Sequence, residues 1–265
     1  MNNSQLQVYF KKNTSKSPLI IFIHGEACDH TLWLYQTRYF FNKNFSVISM
    51  DLPGHGKNLS KPLNSIKELS NLIKKLIKRL PNKEIYLVGH SMGSLICLET
   101  SLANFKEIKK IFLIGTSYPM QVNKSLLLKS KTDQDLAIKD MINWSLSDRI
   151  KLNGANLIGL NLPNLINVIM SNSRKGLLYK NLSACNNFIL NKNEIEEVKT
   201  PFTIIAGSND IMTSKKNSEI LNDMLFDSNL EIINNVGHFH PLESPLEVNK
   251  IIFQNSFKRF FFFYT

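Results

Sequence analysis

Six short apolar runs restrict what this chain can become: Leu19 to Ile23, Phe45 to Met50, Ile85 to Val88, Ile108 to Ile114, Phe202 to Ala206 and Leu230 to Ile233. A run that is apolar at consecutive positions buries both faces of a strand, as parallel strands do beneath helices. The intervening segments change to helical spacing. Ile66, Leu69, Leu72, Ile73, Leu76, Ile77 and Leu80 recur on one face with lysines opposite, and Pro81 stops the run. Ser214 to Leu225 and Pro245 to Phe257 read the same way. Strands that alternate with helices predict an α/β fold with a mostly parallel, doubly wound sheet. Gln5 to Lys11 alternates apolar and polar residues and reads as an edge strand. Ligands of such sheets bind beyond the carboxyl ends of the strands. His24-Gly25, Asp51, Ser91, Gly115-Thr116, Asn209-Asp210 and Gly237-His238 all follow strands directly.

The alternation stops between Pro119 and about Ile195, where only helical patterns occur: Leu126 to Lys131, Asp133 to Trp144, Leu162 to Ser171 and Arg174 to Asn187. A helical insertion between two strands covers whatever the sheet presents. The expected organisation is a core of residues 1–118 and 196–265 with a helical cap of residues 119–195, and 265 residues suffice for it.

Composition narrows the partners. The formal charge of +11 comes from lysines scattered along the whole length, without an arginine-rich arm or aromatic residues interleaved with a basic cluster. This is general surface charge rather than a nucleic-acid site. Cys28, Cys97 and Cys185 are odd in number and widely spaced, which suits a reducing compartment and gives neither a disulfide framework nor a metal site. The run Leu19 to Ile23 is too short and too late for a secretory signal, and Phe260 to Tyr264 is far short of a membrane span. The expectation is a cytoplasmic protein without stable membrane insertion, its Phe-rich end packed on the body.

The chemistry concentrates at Gly89-His90-Ser91-Met92-Gly93, which follows the strand Ile85 to Val88 and precedes Leu95, Leu98 and Leu102 at helical spacing. Strand, sharp turn and helix are the context in which G-x-S-x-G forms a nucleophile elbow. The serine sits on a strained turn, glycines allow close approach, and the helix N-terminus points at the reaction centre. A serine hydroxyl needs an adjacent base, and histidine has the matched pKa. His238 follows the last strand and can hang over the sheet's end. His90 is expected beneath the turn, His24 and His55 as loop shapers, and His240 at the surface or behind the site. For the carboxylate that orients the base, Asp210 fits a strand end, with Asp51 the rival by position. A tetrahedral oxyanion needs two donors, expected from the backbone N–H groups of Met92 and Glu26.

Taken together, Ile23-His24-Gly25, Asp29 to Trp33, Asp51-Leu52-Pro53-Gly54-His55-Gly56, Gly89 to Gly93, Gly207 to Asp210 and Gly237-His238 with Glu243-Ser244-Pro245 resemble the landmarks of the α/β-hydrolase superfamily. They are similar to those of its small capped bacterial members, the bromoperoxidase-like proteins, enol-lactonases and carboxylesterases of biotin synthesis. They occur in family order over nearly the whole chain, with only the cap unmatched. The resemblance implies an α/β-hydrolase fold with a helical cap after the sixth strand. It implies nucleophile Ser91, acid Asp210, base His238, oxyanion donors Glu26 and Met92, and no cofactor or metal.

Two departures stand out. Relatives carry a small or apolar residue where this chain has Glu26, and a carboxylate beside a forming oxyanion is repulsive, so its side chain is expected to turn away from the pocket. Asn58-Leu59, where relatives often show serine or arginine, is expected to be surface drift. A serine nucleophile excludes the aspartate-dependent dehalogenases and epoxide hydrolases of the family. It implies hydrolysis of a small or medium carboxylic ester or lactone through an acyl-enzyme. Carbon–carbon bond hydrolysis, a lyase reaction of the menaquinone-pathway type and a non-catalytic small-molecule receptor stay open. Trp33, Trp144 and Met120, with Leu157, Leu160 and Tyr179, are expected to form an apolar acyl pocket. The lysine-rich insertion argues against an aminopeptidase, whose substrate amine wants acidic residues. Oligomeric state and substrate identity are not legible.

Overall fold

The computed structural model describes residues 6–14, 16–82, 84–153, 161–190 and 192–257. The apolar runs form the strands β1 (Gln7–Lys11), β2 (Leu19–Ile23), β3 (Ser46–Asp51), β4 (Ile85–His90), β5 (Ile108–Ile114), β6 (Phe202–Gly207) and β7 (Ser228–Ile233). Their order across the sheet is β1-β3-β2-β4-β5-β6-β7. Only β1 is antiparallel, pairing with β3, and the remaining pairs are parallel.

A short 3-10 turn (His30–Trp33) leads into α1 (Leu34–Asn42), followed by α2 (Ile66–Arg79) and α3 (Met92–Ser101). Ser65 starts α2 by accepting the Glu68 N–H, and Glu68 returns its carboxylate to the Asn64 N–H. Between β5 and β6 lie α4 (Lys124–Thr132), α5 (Gln134–Ser145), α6 (Asp148–Asn153), α7 (Leu162–Ser171), α8 (Leu177–Asn186) and α9 (Lys192–Glu196). The chain closes with α10 (Lys215–Met224), α11 (His240–Glu243) and α12 (Pro245–Phe257).

The two faces of the sheet divide its side chains by parity. Leu19, Ile21 and Ile23 join a core with α2, α3 and Leu221 of α10, while Ile20 and Phe22 join Phe40 of α1 and Val248 and Ile252 of α12. This two-sided burial makes the parallel runs continuously apolar. The helix α3 is buried along its whole length. Among the described residues the helical insertion follows the fifth strand rather than the sixth. The difference lies before β3, where a single antiparallel strand pairs at the sheet edge. The Phe-rich end, Leu157 and Leu160 lie outside the described residues. Among those described, no helix is long and apolar enough to cross a membrane.

Candidate active site

Three loops at the carboxyl ends of β4, β6 and β7 bring Ser91, Asp210 and His238 together. Ser91 has φ 51° and ψ −118°, a conformation unfavourable for a residue with a Cβ. Packing imposes it. A Cβ on Gly89 would lie 2.2 Å from the Gly93 carbonyl oxygen, and one on Gly93 would lie 2.2 Å from that of Ile23. Strand and helix meet here at a separation only glycine tolerates.

The Ser91 hydroxyl Oγ stands 2.9 Å from His238 Nε2, and His238 Nδ1 stands 2.8 Å from Asp210 Oδ2. An ionised carboxylate only accepts, so Nδ1 carries the proton and Nε2 presents its lone pair to Ser91. All three residues are buried. Asp210 is fixed by the Met212 and Thr213 N–H groups on Oδ1, each at 2.9 Å, and by the Thr213 hydroxyl on Oδ2 at 2.7 Å. Burial acts to raise its pKa, but the charge and hydrogen bond of His238 and the Thr213 N–H outweigh it and hold the carboxyl well below its ordinary range. For His238, burial acts downward, while the Asp210 charge and hydrogen bond, with smaller help from Glu26 and Glu243, carry the pKa above its usual value.

Sequence reasoning missed what holds the histidine loop. The His238 N–H donates to the carbonyl of Ser145, at the end of α5. Glu243 Oε2 accepts the Ser147 hydroxyl at 2.8 Å, the Ser147 N–H at 3.3 Å and the Gly237 N–H at 3.2 Å. The insertion is thereby tied to the loop that carries His238. Burial raises the pKa of Glu243 despite these donors. No local pattern marks Ser147, and the landmark that contains Glu243 does not disclose a partner 96 residues away.

The other histidines are structural. His90 lies beneath the turn, and its Nε2–H donates to the His238 carbonyl at 2.8 Å. His240 donates to the same oxygen through Nδ1 at 2.6 Å. It is fully buried rather than at the surface, because α11 tucks its first residue under the site. Burial holds both below the usual histidine range, His240 at about 4. His24 donates to the Gly25 carbonyl and accepts the Leu52 N–H, while His55 bridges the Pro53 carbonyl and Asn181. Asp51 is committed to its loop by Tyr9, His30 and the Lys57 N–H. Asn58 is buried and donates to the Asp51 carbonyl, so it belongs to that loop's framework, whereas Leu59 is exposed. Among the described residues, Asp29, His30 and Asp51 are the one group whose donor atoms lie close enough to share a metal ion. The His30 and Asp51 atoms are already hydrogen-bonded to each other.

Ser91 and His238 open into a cavity of about 310 Å³ lined also by Glu26, Met120, Trp144 and Leu182. Trp33 is absent from it. Its indole is fully buried against Phe22, with ring centroids 5.0 Å apart, because the turn carrying it faces the sheet. Tyr179 faces away and packs beneath Lys131. The largest correction concerns Glu26. Its side chain points into the site, with Oε1 3.2 Å from Ser91 Oγ and Oε2 accepting the Met92 N–H at 3.3 Å. The first turn of α3 offers an unpaired donor there, and a nearby carboxylate takes it. The Glu26 N–H itself has no protein acceptor among the described residues.

The family model of the alpha/beta hydrolase fold matches residues 18–245. A putative esterase/lipase of Mycoplasma pneumoniae is 29% identical over 234 residues, covering 82% of this chain and 81% of that protein. An esterase from Exiguobacterium antarcticum superposes with a TM-score of 0.83 at 16% identity, over 95% of both chains. The enol-lactonase of Burkholderia xenovorans superposes with a TM-score of 0.79 at 18% identity, over 94% of this chain and 95% of its own.

Proposed function

The chain belongs to the alpha/beta hydrolase fold family, and on that footing we propose that it is a serine hydrolase of small or medium carboxylic esters or lactones. One observation carries the reading: an unbroken hydrogen-bonded succession Ser91–His238–Asp210 whose serine opens into a cavity of about 310 Å³. That volume suits a small ligand. The names of the relatives, an esterase/lipase and an enol-lactonase among them, point the same way.

Ser91 Oγ attacks the carbonyl carbon while His238 Nε2 takes its proton. Asp210 stays ionised and holds the imidazole in the tautomer this requires. The oxyanion is received by the Met92 N–H, at the start of α3 where the helix dipole adds to it, and by the Glu26 N–H. His238 returns the proton to the leaving oxygen, an acyl-enzyme remains, and water deprotonated by His238 releases the acid. The helices between β5 and β6 act as a cap over this site, contributing Trp144 to the acyl pocket beside Met120. No step calls for a metal or cofactor.

The test is Ser91→Ala. Hydrolysis of 4-nitrophenyl acyl esters should be lost in the variant, and a fluorophosphonate should label the wild type at Ser91. Turnover that survives the substitution would sink the assignment.

A further inference from the structure

The carboxylate of Glu26 holds the two groups that the proposed reaction must use. Its Oε2 takes the Met92 N–H and its Oε1 faces the Ser91 hydroxyl. Attack sends the hydroxyl proton to His238 and turns the Met92 N–H toward the new oxyanion. Glu26 then loses both donors at the moment a second negative charge forms beside it. The residue is only 6% exposed. No lysine or arginine lines the cavity, and among the described residues none pairs with Glu26. A buried carboxylate stripped of its donors, whose nearest cation is a His238 imidazolium already paired with Asp210, is strongly disfavoured.

The ground state carries the same conflict. The Ser91 hydroxyl has one proton, and His238 Nε2 at 2.9 Å competes for it with Glu26 at 3.2 Å. A serine turned to Glu26 leaves His238 as the donor to Oγ, which is an imidazolium and no base. The Glu26 charge favours that imidazolium.

We propose that Glu26 determines specificity, selecting acyl groups that carry an ammonium one or two carbons from the scissile carbonyl and discriminating against neutral ones. The inference rests on the serine-hydrolase reading of Ser91. An ammonium on the second carbon lies within about 4 Å of the carbonyl carbon, the range in which the carboxylate already stands from Oγ. It pairs with Glu26, replaces the donors the reaction withdraws, and frees the hydroxyl proton for His238. The Oγ–carbon bond forms, the proton passes through His238 to the leaving oxygen, and that carbon–oxygen bond breaks. The substrate cation is not consumed. The basic surface of the insertion does not oppose this, because its lysines lie outside the cavity.

The experiment compares the 4-nitrophenyl ester of β-alanine with 4-nitrophenyl butyrate, which differ by an ammonium in place of a methyl group. The kcat/KM ratio is measured for wild type, Glu26→Gln and Glu26→Ala, so that the intrinsic reactivity of the esters cancels between proteins. The β-alanyl preference should fall about 10- to 100-fold in both variants, the span of one charge-assisted hydrogen bond. Butyrate turnover should rise. Melting temperatures close to that of the wild type will show that both variants fold, since among the described residues no lysine or arginine pairs with the lost charge. Serine-dependent turnover of both esters with a ratio unchanged within threefold overturns the proposal and leaves the hydrolase reading intact. So does a loss of butyrate turnover in Glu26→Gln. A wild type inert to both esters, with no fluorophosphonate adduct on Ser91, overturns both.

Discussion

Replacing Asp210 by asparagine keeps the shape of the site and reverses one hydrogen bond. The Met212 and Thr213 N–H groups both donate to Oδ1, so they fix the amide oxygen of the substituted side chain there. The amide nitrogen then occupies the Oδ2 position, 2.8 Å from His238 Nδ1. Two donors cannot face each other, so the imidazole moves its proton to Nε2 and accepts at Nδ1. Ser91 is left facing an N–H in place of a lone pair, and the general base of the proposed reaction is gone. A fall in kcat of about 10⁴ is expected, the loss seen when the same change is made in a serine protease. It corresponds to about 5 kcal/mol of barrier. The pH profile gives an independent readout. In the proposed reaction His238 acts as a base only when neutral, so activity should rise with pH through its pKa. The Asp210 charge is the main force that opposes burial there and raises that pKa. Without it the acid limb of kcat/KM should move to lower pH while the plateau collapses. Stopped assays with 4-nitrophenyl esters from pH 4 to 9, with circular dichroism to verify folding, measure both effects. A variant within tenfold of wild type and with an unmoved acid limb would refute the assigned role of Asp210.

Other consequences follow from single residues. Ser91→Gly removes the side chain from a backbone at φ 51°, so it should abolish turnover yet raise thermal stability by about 1 kcal/mol, read by calorimetry. A lowered melting temperature would contradict strain at the elbow. Trp144 lines the cavity and Trp33 does not. Trp144→Ala should raise KM for longer acyl chains more than for acetyl. Trp33→Ala should instead cost about 3–5 kcal/mol of stability with KM unchanged in whatever folds. Denaturant titration and a chain-length series distinguish the two.

Much of the fold was legible because parallel strands under two layers of helices leave a continuous apolar signature. The runs at Leu19, Ile85 and Phe202 begin where the strands begin, and Leu162 to Ser171 is a helix to the residue. The meeting of Ser91, Asp210 and His238 in one candidate site was legible for a related reason. Each stands in a short polar loop after a strand, and one sheet brings all such loops to the same edge. Apolar character alone did not separate Trp33 from Trp144, since a core and the wall of an apolar cavity select the same residue types. Nor did it reveal that Ser145, Ser147 and Glu243 join the insertion to the histidine loop.

Glu26 marks the division most sharply. Its place after His24-Gly25 was written in the chain, along with the sheet edge it would occupy and the elbow it would face. The direction of its carboxylate was not. That depends on an unpaired N–H at Met92, 66 positions away, which exists as a donor only once α3 has formed and packed against the end of β2. Local sequence sets periodicity, turn chemistry and the order of the loops because those forces act between neighbours. Which buried charge meets which donor is decided by elements far apart along the chain, and only the assembled structure contains that information.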